Sequence, residues 1–340
     1  MRFLIVGDVH FKGTNPRARL DNYMEAITNK FYEVFQIAER YGVEAIVQTG
    51  DLLDSPSTTW GVVGELACLF QKSPCPILSI HGNHDIWGGN AESKHRTPFG
   101  LLARLGIVQD VEDRPFEKVF DDVCVSGCGF TAETDTEAGM GQFSPLNGAR
   151  ADIFKIHVVH SMLMDKAPGF DMRHTLISQV KTTADVIVCG HLHTGFGSSY
   201  VVRRDDGVLF VNPGALCRLS AGVEEMERTV QVGLLTVESD AKIGGGEVKA
   251  DVKLIPLKSA LTGDVVLSRE HLEAERDRSG RLDKFLSLLA SEGESKFLEV
   301  RDIVEDLAAR ENIPLDVKKE ALTRIGKARE MLGKTGEVIL

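Results

Sequence analysis

Residues 1–10 read Met-Arg-Phe-Leu-Ile-Val-Gly-Asp-Val-His, and the fold turns on how they are taken. The apolar run at 3–6 is short and unbroken and ends at Gly7. A run of that length bounded by a glycine reads as a first β-strand. Asp8 and His10 follow at its carboxyl end. In open α/β sheets, ligands bind beyond that end of the strands. Taken alone, an Asp-x-His pair is more often a turn than a ligand pair.

The same pattern recurs along the chain. A strand expected at 45–48 runs into Gly50-Asp51, and one at 77–80 into Gly82-Asn83-His84-Asp85. One at 156–159 ends in His160, and one at 186–189 in Gly190-His191-Leu192-His193. Helical periodicity over 22–40, 59–71, 98–105 and 175–182 falls between strands. Further strands are expected at 119–125, 199–202, 208–211, 230–237 and 248–255, with turn signals such as Asp205-Asp206-Gly207. This order predicts an α/β core whose late strands build a second, more antiparallel sheet. Beyond Leu257 the pattern is helical, over 269–278, 281–290, 297–310 and 315–332. The expected division is therefore 1–257 for the catalytic core and 258–340 for a helical region.

The chain has 340 residues, with 39 basic against 50 acidic and a net charge of −11. That excludes a globally basic nucleic-acid coat but says little about any one face. No run approaches the ~18 apolar residues of a membrane span. No signal peptide is legible either, so a cytoplasmic protein without a membrane partner is expected. The six cysteines form no CxxC pair and read as free thiols in a reducing compartment.

Asp8, His10, Asp51, Asn83, His160, His191 and His193 supply seven oxygen or nitrogen donors at strand ends. Seven overfill one ion that must also bind substrate. They suit two ions sharing a carboxylate, an arrangement that clamps both oxygens of a phosphoryl displacement. Such donors suit manganese foremost, with iron or zinc also compatible.

Together, Asp8-x-His10, Gly50-Asp51, Gly82-Asn83-His84-Asp85, His160 and Gly190-His191-x-His193 resemble the motif set of the calcineurin-like metallophosphoesterases, over about residues 1–215. The resemblance implies a four-layer αββα sandwich of two mixed sheets, here followed by the C-terminal helical region. It implies that Asp8, His10 and His193 hold a first metal, that Asn83, His160 and His191 hold a second, and that Asp51 bridges. It gives His84 contact with the scissile phosphate and a share in protonating or stabilising the leaving oxygen. It gives Asp85 the task of orienting His84.

Within that superfamily the Arg of the phosphoprotein phosphatase segment Gly-Asp-x-x-Asp-Arg-Gly is missing, since Ser55-Pro56 follows Asp54. Gly-Asp-Leu-Leu-Asp-Ser at 50–55 is similar to the SbcD-type DNA repair nucleases, called meiotic recombination eleven in eukaryotes. So are Pro16-Arg17-x-Arg19-x-Asp21-x-Tyr23, Asn212-Pro213-Gly214-Ala215 with Arg218, and Leu254-Ile255-Pro256-Leu257. This resemblance implies an exo- or endonuclease subunit in DNA repair or recombination, with DNA as substrate. It also implies an SbcC-type ATPase partner docked on the C-terminal helices, and a homodimer. One departure stands out: Asp54 occupies the place of a second histidine that many of those nucleases carry. Two alternatives stay open, a stand-alone phosphodiesterase or phosphatase on cyclic nucleotides or other small phosphoesters, and a weakly active metal-containing docking scaffold. Lys12, Arg17, Arg19, His95, Arg203 and Arg204 could grip a nucleic-acid backbone or simply be solvated. His81 and His157 read as structural.

Overall fold

The computed structural model describes residues 1–118, 123–145, 153–169, 171–239 and 248–268, and ten residues between 313 and 324. In chain order the elements are β1 (Arg2–Val6), α1 (Tyr23–Tyr41), β2 (Ala45–Gln48), α2 (Trp60–Phe70), β3 (Ile77–Ser79), α3 (Pro98–Arg104), β4 (Gln109–Asp110), β5 (Phe116–Lys118) and β6 (Val123–Cys128). Then come β7 (Phe154–Ser161), β8 (Leu163–Met164), β9 (Thr175–Leu176), β10 (Val186–His191), β11 (Val201–Arg203), β12 (Leu209–Val211), α4 (Val223–Glu227), β13 (Gln231–Ser239), β14 (Val248–Pro256) and α5 (Gly263–Val266).

The strands make two mixed six-stranded sheets, β14-β13-β1-β2-β3-β4 and β11-β12-β10-β7-β6-β5, with β8 and β9 paired apart from both. Side-chain alternation on β1 explains their stacking. Phe3 and Ile5 join Val47, Leu78, Val125, Ile156 and Val188 in the core between the sheets. Leu4 and Val6 point the other way, into a core with Ile27, Phe31, Leu66 and Phe99 of α1, α2 and α3. The outer face of the second sheet is covered by a 3-10 turn at Ala138–Phe143, another at Ile177–Gln179, and loops, around Phe143, Ile187 and Phe210.

Helix α1 starts where Asn22 accepts a hydrogen bond from the Glu25 amide and stops at Gly42, whose φ of 56° is left-handed. Its stripe of Ile27, Phe31, Val34 and Ala38 is buried against the first sheet.

Two expectations need correction. The late strands do not build a second sheet of their own. β11 and β12 extend the sheet of β10, while β13 returns to pair antiparallel with β1 and carries β14 with it. That return covers the β1 edge and seats Leu235 and Val237 in the core between the sheets. The segment 175–182 is no helix either. It is the strand β9 and a 3-10 turn, and the Thr175 hydroxyl is tied to the Asp135 carboxylate.

Residues 1–271 form one compact unit and 272–340 another. Residues 258–268 pack on the first: the Lys258 and Ser259 amides donate to the Glu33 carboxylate, and the Ser268 amide donates to the Ala18 carbonyl. Most of the helices expected after 268 lie outside the described residues; 316–321 and 323–324 are helical. Among the described residues, no helix is long and apolar enough to cross a membrane.

Candidate metal centre

The parallel registers align the carboxyl ends of the central strands. Val6 pairs with Gln48 and Gln48 with Ser79 in the first sheet; Gly190 pairs with His160 in the second. The loops leaving β1 and β2 then zip together: the Val9 and His10 amides donate to the Asp51 carbonyl, and the Phe11 amide to that of Leu52. The backbone curls sharply here. Four described non-glycine residues have positive φ, and three are His10 (48°), Asp51 (50°) and His191 (83°). Such strain persists where surrounding contacts over-determine it and tends to collect at functional sites.

All seven strand-end donors converge. His10 Nε2 lies 3.2 Å from His193 Nε2 and 3.5 Å from Asp51 Oδ2, and His193 Nε2 is 3.5 Å from Asp8 Oδ2. On the other side, His160 Nε2 lies 3.1 Å from Asn83 Oδ1 and 3.3 Å from Asp51 Oδ2, and the His191 ring is 4.9 Å from that of His160. Ligand atoms of His10, Asp51 and His84 lie within 4.8 Å of one another, and so do those of Asp51, His160 and His191. Asp51 belongs to both groups and lies between them.

The hydrogen bonds around this set fix its lone pairs. His160 Nδ1 lies 2.8 Å from the Thr49 carbonyl, which can only accept, so Nδ1 carries the proton and Nε2 turns inward. Nε2 there meets the oxygens of Asn83 and Asp51, and an imidazole lone pair facing two oxygens leaves a place for positive charge. The titration behaviour agrees. Burial opposes charge on His160, yet Asp51 and Asp8 hold its pKa up at about 10. Asp51 is also buried, but His160, His10 and His84 draw its pKa below the usual carboxylate range. Burial pushes His10 and His191 down to about 3, neutral imidazoles suited to ligation. The residues therefore fit a pair of cations. Asp8 is held by the His191 amide and the Thr49 hydroxyl. Gly190 permits this, because a Cβ there would collide with Asp8 Oδ1 and Thr49 Oγ1.

His84 stands exposed at the mouth, its ring centroid 4.6 Å from that of His10. Asp85 was expected to orient His84, and its carboxylate has main-chain partners. The Asp85 carboxylate accepts from the Gly82, Leu52 and Leu53 amides. It is fully buried, and burial and then the charge of Asp51 push its pKa up to about 7. It staples the Gly82–Asp85 loop to the loop after Asp51. The His84 ring is oriented by the Asp54 carbonyl, 2.9 Å from Nδ1.

The basic residues near the site are largely engaged within the chain. Lys12 pairs with Asp54, Arg19 bidentately with Asp21, and Arg204 with Asp206 and two carbonyls. His157 is buried between Ser126 Oγ and the Gln142 carbonyl, and His81 between the Phe130 carbonyl and Glu112. Cys217 is a residue that reading strand ends missed. Its thiol lies within 4.8 Å of ligand nitrogens of His10 and His193. No motif flags it, since it reaches the site through the loop 212–217.

This chain belongs to the calcineurin-like phosphoesterase superfamily, whose domain model matches residues 1–240, and it is a metal-dependent phosphoesterase. The family works with two metal ions, and the His and Asp groups above are placed to hold them. No curated protein matches the chain. Among solved structures it is similar to the calcineurin-like phosphoesterase YfkN from Bacillus subtilis, at 14% identity and TM-score 0.43, covering 75% of this chain and 90% of that one. It is similar to a dimetal phosphatase from Danio rerio at 10% identity and TM-score 0.42, covering 76% and 99%. It is also similar to a 5′-nucleotidase precursor from Thermus thermophilus at 14% identity and TM-score 0.42, covering 83% of this chain and 59% of that longer one.

Proposed function

We propose that this chain hydrolyses phosphodiesters at two divalent ions, and that its substrate is DNA, in the manner of an SbcD-like exo- or endonuclease subunit. The observation that carries the hydrolytic reading is the shared position of Asp51, flanked by one donor set on each side and by His84 at the open mouth. The DNA reading rests on the motif resemblance at residues 16–23, 50–55 and 212–218.

In this reading Asp8, His10 and His193 would hold the first ion, Asn83, His160 and His191 would hold the second, and Asp51 would serve both. Manganese, iron and zinc all suit these donors. Bound, the ions supply Lewis acidity toward the phosphoryl oxygens and a nucleophile at neutral pH. The chain does the rest. The Thr49 carbonyl holds the His160 tautomer, and the His191 amide with Thr49 holds the Asp8 carboxylate. The Asp54 carbonyl accepts the Nδ1 proton of His84, which leaves Nε2 as the ring atom that can serve a substrate. Nε2 is then the atom from which a proton would pass to the leaving oxygen.

A second reading, hydrolysis of cyclic nucleotides or other small phosphoesters, is favoured by one observation: Lys12, Arg19 and Arg204 are engaged inside the chain rather than offered to a polyanion. One assay separates the two. The manganese-loaded protein is offered linear single- and double-stranded DNA, cyclic nucleotides and bis-p-nitrophenyl phosphate. DNA cleavage abolished by chelation and by Asp51→Asn supports the nuclease. Turnover of the small substrates alone would remove the DNA claim, and no restoration by any divalent ion would remove the two-ion reading. Loss of a co-purifying ATPase on deleting the chain beyond Leu257 would support the SbcC-type partnership.

A further inference from the structure

The loop 212–217 runs against Asp8 and His193, two of the residues proposed to hold the first ion. The Ala215 amide donates to the His193 carbonyl, and the Leu216 and Cys217 amides donate to the Asp8 carbonyl, so the loop is laced to two donor residues at once. It is also held from below. The buried Lys30 ammonium donates to the Leu216 carbonyl, while the Arg228 guanidinium, paired with Glu225, donates to the carbonyls of Ala215 and Cys217. This scaffold leaves the Cys217 side chain fully buried with its sulfur among the nitrogens of His10 and His193.

The surroundings point to a ligand at this spot. His10 Nε2 faces His193 Nε2 at 3.2 Å, while its Nδ1 is turned to the Asp54 carboxylate, 3.6 Å away. Two imidazole nitrogens that close need a proton or a cation between them. The sulfur lies within 4.8 Å of both rings' ligand atoms. Metal–nitrogen bonds of about 2.1 Å and metal–sulfur bonds of about 2.3 Å keep such atoms within roughly 4.4 Å around one ion. The positions are thus compatible with one ion after a shift of a few tenths of an ångström.

We propose that Cys217 is a protein ligand of the first ion, alongside Asp8, His10 and His193, and that this ion is a thiophilic one such as zinc or iron rather than manganese. The inference rests on the two-ion reading above. Coordination exchanges the S–H bond for an S–metal bond and releases the proton to solvent, with no change of oxidation state. A thiolate donor raises preference for softer ions.

The test uses the full chain, stripped with chelator and reloaded with cobalt(II), with stoichiometry and near-ultraviolet absorption recorded together. Wild type should bind two cobalt ions and show a thiolate-to-cobalt charge-transfer band. The band should be lost in Cys217→Ser and Cys217→Ala and retained in Cys128→Ser, a thiol whose hydrogen bond goes to the Gly129 carbonyl. Two bound ions without the band, or a band surviving in Cys217→Ser, would overturn the assignment and leave the two-ion reading standing. Failure to bind cobalt would overturn both. Should the Cys217 variants not fold, cadmium NMR of the wild-type protein decides: a resonance in the thiolate region supports the ligand, and only oxygen- and nitrogen-type resonances refute it.

Discussion

The His84 ring and the Asp54 main chain are partners: Nδ1 lies 2.9 Å from the Asp54 carbonyl oxygen. A backbone carbonyl sets the orientation of the exposed imidazole, so the identity of the side chain at 54 is free to change without loss of that orientation. The Asp54 carboxylate meanwhile faces Lys12 at 3.1 Å and His10 at 3.6 Å. Position 54 thus contributes to the His84 orientation through its main chain.

Replacing His84 with Ala should reduce turnover by about 10²–10⁴-fold, the usual contribution of a general acid. Bound metal should stay at the wild-type level. The loss should grow with the basicity of the leaving oxygen, smaller for p-nitrophenolate than for an alkoxide. A loss independent of leaving group, measured across a series of aryl and alkyl esters, would show that His84 does not deliver the proton.

Asp85→Asn should cost stability first. The carboxylate accepts three buried amide hydrogens, and an amide side chain must turn an N–H₂ toward at least one of them. The expected penalty is roughly 2–4 kcal/mol in urea unfolding, with weaker metal binding because the loops carrying Asp51 and Asn83 come apart. Had Asp85 served only to orient His84, stability would be untouched and kcat alone would fall.

At Gly190 a methyl group meets Asp8 Oδ1 and Thr49 Oγ1. Gly190→Ala should displace the Asp8 carboxylate and weaken metal affinity by about 10–100-fold, the scale seen when a ligand's supporting contacts are disturbed. Isothermal titration with the stripped protein checks this, and an unchanged affinity would mean that Asp8 is not a ligand.

His157 gives a pH signature apart from the metal centre. Burial lowers its pKa from 6.5 to about 4 in the folded chain. Between those values the unfolded chain binds the extra proton, so stability is whole above about pH 6.5 and declines as pH falls toward 4. The full effect is ~3 kcal/mol. The difference in urea midpoint between about pH 7.5 and about pH 4.5 should therefore be smaller in His157→Gln than in wild type. Parallel declines in both would show that His157 takes up its proton without unfolding.

Much of the site was legible because its residues come as strand-end signatures. Gly50-Asp51, Asn83-His84 and His191-x-His193 each follow an apolar run, and parallel pairing carries those ends to one edge. What escaped depends on partners distant in sequence. Asp85 looks like a companion of its neighbour His84, yet two of its amide partners lie 32 and 33 residues earlier. Cys217 has no patterned companion at all. β4 and β9 are two residues long, too short for periodicity to register. The destination of β13 was hidden too, since its alternation fits either sheet and only the uncovered edge of β1 decides.

The donors come from both layers of the sandwich. Asp8, His10, Asp51 and Asn83 leave strands of one sheet; His160 and His191 sit on strands of the other. His10 and His193 meet across 183 residues of sequence, and Asn83 and His160 across 77. Neither layer alone carries the full set proposed for either ion. The binding pocket therefore comes into being only when the two layers close on each other, and an ion seated there clasps them from the rim. Metal binding by the proposed ligands would then favour the closed, folded chain.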